Sequence, residues 1–504
     1  MHKLEITLKQ HTPIIHFQHD QDGATLRASE VKPKLDRFLL TKLGDGNYDV
    51  GVKKANNQGW FIGKGEHPAL DYKMFFRPSN NIKINIKPRH ENAPMYFGNM
   101  GDDDNKDKHF RKADFVEGII LTQWSELEVF VKNNISKFFF IHNFGTRQSK
   151  GYGSFTVEKI NNKTIDSKFK ADYCFRIKTD DWQDALFKTG LFYQSLRSGI
   201  NIGSPIYSSV KGSHGSALKH QEMDTKFYMK PIVFLYAKDV DKQQWDKKTI
   251  KQTYFNNRYY YRKASKREYE EYIAKTFGKH NLNCFKERDY YKLESNLKKV
   301  FENRYGNGWN RNRKLEIEFQ EILKKIKTKL IETSGLPSQQ ENMKNSDVLS
   351  FSLKKQEGQN YYFDYKDLFG LSSDEKWYSY GADIKKENRD IDRYKSPITF
   401  KPVKINGEFH IFILLSDIDD KYLGKVFTIK SVEYKNTKTH LQLQIPNYKS
   451  FLFNLFDFIV NNVDIDNCIE VNYRGYQKDN INYYDVLSDI YSQLKAKSQC
   501  NTQP

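Results

Sequence analysis

The chain has 504 residues, too many for one ordinary core at roughly 150 residues per domain, so two or three domains are expected. Lysine and arginine total 82 against 63 aspartates and glutamates, a formal charge of +19 that favours a polyanionic partner and says nothing about fold. No run approaches the ~18 apolar residues of a bilayer span, the start Met1 to Ile6 lacks a long apolar segment, and Cys174, Cys284, Cys468 and Cys500 contain no C-x-x-C pair, which disfavours membrane insertion, secretion, a zinc knuckle and a disulfide framework. A reducing, cytoplasmic setting is expected. Aromatic residues make up 15%, with 32 Tyr and 36 Phe, and unpaired bases stack on such rings while cations neutralise their phosphates. An AT-rich genome yields a similar composition, so composition only shifts the odds toward single-stranded nucleic acid.

In chain order, Leu4, Ile6 and Leu8 alternate with polar residues and predict a half-buried strand. From Ser29 the apolar positions Val31, Leu35, Phe38 and Leu39 share a helical face. Ile82, Ile84 and Ile86 at period two, then Val116 to Leu121, predict the two middle strands. Ser125 and Glu128 form a capping-box signature ahead of Leu127, Phe130, Val131, Ile135, Phe138 and Phe139 at helical spacing, and Phe155 to Ile160 predicts a fourth strand. The order is βαββαβ, a ferredoxin-like unit over 1–165.

Between that helix and the fourth strand lies Phe144-Gly145-Thr146-Arg147-Gln148-Ser149-Lys150-Gly151-Tyr152-Gly153-Ser154, a glycine-punctuated basic loop. Its glycines admit positive φ and close backbone approach, so Arg147, Lys150 and a row of amides are expected to cradle phosphate. The plain alternative is a surface turn stiffened by Tyr152 and Phe155.

A second unit begins near Ala171, with alternating Tyr173, Phe175 and Ile177 and a helical stripe from Trp182 to Leu196 ending before Gly199. Pro231 to Tyr236 reads as a strand, and residues 238–350 read as a helical insertion marked by Leu315, Phe319, Ile322, Leu323, Ile326 and Leu330. Strand patterns resume at Ile398 to Phe400, Phe409 to Leu415 and His440 to Ile445, before a helical pattern at Phe451 to Ile459. The expected fold is α+β, with tandem ferredoxin-like domains, the second split into 166–237 and 351–504 around the insertion.

Three stretches resemble the RAMP superfamily of CRISPR-associated RNA-binding proteins, and within it the first-numbered subunit of the type III-B Cmr effector. Thr12-Pro13-Ile14 with Gly23 to Lys32 is similar to that family's entry into its first helix, the loop Phe144 to Ser154 to its glycine loop, and Arg393-Tyr394-Lys395-Ser396-Pro397-Ile398 to a strand entry in its second domain. Lys150 stands where the family often has Arg, and Pro33 where a small residue is common. The resemblance implies a non-catalytic subunit, with no cofactor or metal, that caps a ribonucleoprotein near the guide RNA 3′ end, contacts target RNA and binds neighbouring Cmr subunits. The RNA-binding residues so implied are Arg27, Lys32, Lys34, Arg37, Gly145, Thr146, Arg147, Gln148, Ser149, Lys150, Gly151, Tyr152, Gly153, Arg393 and Ser396. Arg27 and Lys32 flank a helix N-terminus, which favours phosphate, though an ordinary solvated helix face has the same look.

Two other readings compete. His11, His16 and His19 near the first strand raise a metal-independent guide-processing endoribonuclease with a histidine general base, and Asp102 to Asp104 raise an acidic loop that is more simply solvated. The Tyr- and Arg-rich stretches Arg258 to Lys263 and Arg304 to Arg313 raise a protein-bridging role instead.

Overall fold

The computed structural model describes residues 1–15, 25–62, 69–80, 82–85, 109–165, 170–207, 221–240, 242, 262–263, 293–334, 350–351, 362–363, 365–371, 374–377, 382–391, 394–431 and 442–496. In the first unit β1 (His2–Gln10), β2 (Tyr72–Pro78), β3 (Phe115–Thr122) and β4 (Phe155–Ile160) form one sheet in the order β2-β3-β1-β4, every pair antiparallel. Helices α1 (Ala28–Leu43) and α2 (Ser125–Ile141) follow β1 and β3. Alternation along β1 sends Leu4, Ile6 and Leu8 to one face, where they meet Val31, Leu35 and Leu39 of α1 and Leu127, Val131, Ile135 and Phe138 of α2. A further helix, Tyr48–Asn57, is capped by the Asn47 side chain, which accepts from the Asp49 and Val50 amides.

The second unit centres on β5 (Tyr173–Ile177), α3 (Trp182–Arg197), β6 (Ile398–Ile405) and β7 (Glu408–Leu415), with sheet order β5-β7-β6 and both pairs antiparallel. Helices α5 (Phe451–Asn462) and α6 (Tyr483–Lys495) share its core through Leu452, Leu455, Phe456, Leu487 and Tyr491, packed with Phe175 and Phe192; a short helix, α4 (Ile232–Asp239), joins the same core. Among the described residues no strand pairs with the outer edge of β5. Instead the Gln493 amide on α6 accepts from the Arg176 N–H at 2.8 Å and donates to its carbonyl at 3.0 Å, which satisfies one residue of an open edge. A separate five-stranded sheet contains Tyr362–Phe363, Gln442–Gln444, Val426–Ser431, Ala382–Glu387 and Asp374–Trp377, in that order.

Several expectations change. Ile82–Asn85 is a strand, but it pairs with His109–Lys112 in a ribbon of its own; the outer strand of the main sheet is Tyr72–Pro78. Ile86, His440 and the Asp102 to Asp104 loop lie outside the described residues. Pro231 to Tyr236 is the cap and first turns of α4 rather than a strand, since proline lacks an N–H and has a helix-compatible φ of −60°. The Ser125 and Glu128 capping box does not form: Trp124 is the cap residue and no side chain caps the helix. Cys174 is disulfide-bonded and Cys468 is free. Within the expected insertion, the described helices Leu293–Tyr305 and Arg313–Ser334 pack Phe301, Trp309 and Phe319 ring to ring at 4.8–5.3 Å. No helix among the described residues is long and apolar enough to cross a membrane.

Candidate nucleic-acid interface

The loop between α2 and β4 is held from both sides. The Phe144 N–H donates to the Gly153 carbonyl, Gly153 N–H to Pro13, Thr146 N–H to Ile15, and Ser154 N–H to the Thr12 hydroxyl, whose own O–H donates to Gly151 at 2.6 Å. The Lys150 and Gly151 amides close short turns onto Arg147 and Gln148, and the Gly145 amide donates to Glu30 Oε1 at 2.6 Å. The expected row of phosphate-facing amides is thus already occupied at Gly145, Thr146, Lys150, Gly151 and Gly153.

The glycines serve the packing. At Gly153 (φ +67°) a Cβ would meet the Phe144 carbonyl oxygen at 1.9 Å, and at Gly145 (φ +77°) the Ile15 carbonyl oxygen at 2.4 Å. Tyr152 is fully buried, stacked on Phe110 at 5.1 Å and edge-on to Trp182 at 6.3 Å, so it is an anchor rather than a base platform. What remains half-exposed is the tip, Thr146 to Lys150, where Arg147 takes a left-handed φ of +56°.

Three stretches distant in sequence meet around this tip. From α1, Lys34 Nζ donates to Glu30 Oε1 and Gln148 Oε1, both at 3.1 Å, and lies 4.9 Å from the Phe144 ring centroid. From the second unit, the Pro402 carbonyl accepts from the Ser154 hydroxyl and the Phe400 carbonyl from the Asn143 amide, which also donates to the Gln148 carbonyl of the tip. Lys150 Nζ sits 3.0 Å from the Tyr193 ring centroid, and Ser396 hydrogen-bonds the Tyr193 hydroxyl. Burial pushes the Lys150 ammonium down to about 8; burial raises the Tyr193 phenol, but Lys150 and Arg197 outweigh it and bring it to about 8. Lys150 is therefore turned onto α3.

Behind the tip, Lys401 of β6 is completely buried, and its ammonium donates to Phe139, His142 and Phe155 carbonyls at 2.8, 3.0 and 2.8 Å. Two of these acceptors belong to the C-terminal end of α2, where cations are favoured. Burial pushes Lys401 well below the ordinary lysine value, and the three acceptors use all three of its N–H groups. Lys395 reaches solvent at the seam, yet the packing around it, and then the Lys34 cation, push it below the ordinary lysine value.

Of the residues expected to bind RNA, the structure brings Lys34, Arg147, Gln148, Lys150 and Ser396 together at this seam. Arg27 is the cap residue of α1, its carbonyl accepting from Glu30 and Val31. Lys32 faces away, bonded to Asp36 and the Leu70 carbonyl and 3.7 Å from the Tyr72 ring centroid, and with Arg37 it lines a separate open depression of about 440 Å³. Arg393 lies outside the described residues. Sequence reasoning passed over Lys401, Tyr193, Arg197, His142 and Lys395 as site residues; only Lys395, within the quoted Arg393 to Ile398 stretch, carried a signal.

Of the histidines, His16 and His19 lie outside the described residues. His11 is buried with both ring nitrogens engaged: Nδ1 accepts from the Lys404 N–H at 3.0 Å, which leaves Nε2 to donate to Thr156 Oγ1 at 2.7 Å. Burial, then Lys401 and three other cations, hold its pKa well below 6.5. This gives His11 a structural task at the joint.

Comparison with known proteins gives a consistent family. The Cmr1 N-terminal domain matches residues 1–200 and the Cmr1 C-terminal domain residues 315–482. Among solved structures, the chain is similar to the crystal structure of apo Cmr1 from Pyrococcus furiosus, at 11% identity and TM-score 0.30, over 38% of this chain and 72% of that one. It is also similar to a chain of a type III-B Cmr-beta complex bound to cognate target RNA, solved by cryo-electron microscopy, at 12% identity and TM-score 0.20, over 32% and 59%. A CRISPR protein from Archaeoglobus fulgidus matches at 8% identity and TM-score 0.19, over 45% and 94%. No curated protein matches the chain. With both domains of one family matched in order along a single polypeptide, this chain belongs to the Cmr1 family of type III-B CRISPR effector subunits.

Proposed function

We propose that this Cmr subunit is a non-catalytic RNA-binding protein of the cytoplasm that caps its effector complex near the guide RNA 3′ end and contacts target RNA in antiviral defence. The observation carrying this reading is the seam itself, where α1, the tip Thr146 to Lys150 and the entry to β6 meet with Lys34, Arg147 and Lys395 around them. A +19 chain that gathers cations from three distant stretches at one half-exposed place suits a ribose-phosphate backbone. Contacts of this kind position RNA without reading its sequence. Membership in a family of Cmr effector subunits supports RNA and other Cmr subunits as partners.

The same reading assigns two ferredoxin-like units, 1–165 and a second split into 166–237 and 351–504 around an insertion, the second unit's open edge being covered by α6. It assigns no chemistry to the chain, because the one described histidine of the three candidates has both nitrogens committed to the joint. Charge reversal at Arg147 and Lys395 tests it. Single-stranded RNA should bind more weakly, and the slope of log affinity against log salt should fall by about 0.7 for each phosphate that is no longer neutralised. Unchanged affinity and slope in both variants would overturn the assignment.

A further inference from the structure

His142 closes α2 and occupies the same seam. Its ring packs against Phe138 at 4.7 Å and edge-on to Phe38 at 6.1 Å, which fixes its plane. Nδ1 lies 2.9 Å from the Phe138 carbonyl oxygen, and a carbonyl only accepts, so the Nδ1 proton is present and donates. The neutral tautomer then carries its lone pair on Nε2, which has no hydrogen-bond partner among the described residues, and the residue is half-exposed. Burial, then Lys34, Lys401 and Lys395, bring the imidazole to about 4, so at neutral pH the ring is an acceptor held among cations. Lys395 has no acidic or hydrogen-bond partner among the described residues and stands close enough to Lys34 for their charges to repel. Lys34 is compensated by Glu30 at 3.1 Å, whereas Lys395 faces no carboxylate among the described residues, so the Lys395 cation suits an anion, and an acceptor fixed beside that anion suits a donor covalently near it.

We propose that His142 and Lys395 form a ribose-phosphate subsite in which Lys395 takes a phosphodiester oxygen and His142 Nε2 accepts a hydrogen bond from the ribose 2′-hydroxyl, selecting RNA over DNA. This rests on the RNA-binding reading of the seam and adds the feature of the nucleic acid that is recognised. A phosphate-only site would accept either sugar, whereas an acceptor facing the 2′ position favours the sugar that can donate.

The test compares three single strands of one sequence at fixed salt by fluorescence anisotropy: RNA, DNA and 2′-fluoro RNA, which keeps an RNA-like sugar pucker and removes the donor. RNA should bind more tightly than the 2′-fluoro strand by roughly threefold to tenfold, the range for one hydrogen bond. His142→Phe, which keeps an aromatic ring against Phe38 and Phe138, should bring the two affinities together. Equal binding of RNA and 2′-fluoro RNA by the unaltered protein overturns the proposal without any variant. So does a preference that survives in His142→Phe. If Lys395→Glu weakens all three strands while the preference resides elsewhere, the seam still binds RNA and only the 2′-hydroxyl assignment fails. Unchanged RNA binding in both Arg147→Glu and Lys395→Glu removes the seam itself.

Discussion

The Lys401 ammonium donates a 2.8 Å hydrogen bond to the Phe139 carbonyl, 262 residues away in sequence, and so closes the end of a helix in one unit with a side chain from the other. Its remaining N–H groups reach His142 and Phe155. A lysine in a fully buried strand position costs desolvation, and three carbonyl acceptors offset it.

Replacing Lys401 by methionine keeps the stem but leaves those three carbonyls without donors. An unsatisfied buried acceptor costs about 1–3 kcal/mol, so a loss of at least about 2 kcal/mol is expected by denaturant unfolding, even after the desolvation cost is relieved. A neutral or stabilising result would mean that burial of the charge outweighs its hydrogen bonds.

His11 predicts a dependence on acid. Its folded pKa is depressed by burial and by neighbouring cations, whereas the unfolded chain protonates near the ordinary 6.5. The unfolded state therefore binds more protons as pH falls below about 6.5, and stability falls by up to about 1.4 kcal/mol per pH unit until the folded-state pKa is reached. Above about 6.5 the contribution is complete. In His11→Asn, the difference in unfolding free energy from the unaltered protein should shrink as pH drops from about 7.5 to 5.

The glycines of the loop and of the helical hairpin should respond differently. Gly153→Ala introduces a left-handed alanine and drives its Cβ to 1.9 Å from the Phe144 carbonyl oxygen, while at Gly308 (φ +97°) nothing lies within 4 Å. The first should cost well over about 2 kcal/mol and the second about 1 kcal/mol, read as shifts in thermal midpoint.

Tyr152→Ala should cost about 3–5 kcal/mol, because the ring is fully buried between Phe110 and Trp182. RNA affinity measured where the variant remains folded should fall through disorder of the tip. Full affinity in a destabilised but folded variant would separate the anchor from the binding surface.

Local chemistry made several elements legible. Strict alternation in β1 and the i, i+3, i+4 spacing along α2 each bury one face, so the pattern in the sequence is the pattern of the core. The strand Phe155–Ile160 and the end of α3 before Gly199, which has φ +69°, follow the same logic. Tyr72–Pro78 was passed over because Phe75, exposed on an edge strand, interrupts its contrast, whereas Ile82 and Ile84 alternate cleanly and belong to a separate ribbon.

What the sequence determined by itself was the charge balance, the segments β1, α1, β3, α2 and β4 of the first unit and the location of a glycine-rich turn, since each depends on residue type and near neighbours. Only the tertiary structure decided which cations face outward. Lys32 and Lys34 are two residues apart on one helix, yet Lys32 closes on Asp36 and Leu70 while Lys34 reaches Gln148 at the seam. Lys401, Tyr193 and His142 acquire their roles from partners up to hundreds of residues away. Hydrogen bonding and burial are set by distance in space, and that distance is fixed only when the two units pack together.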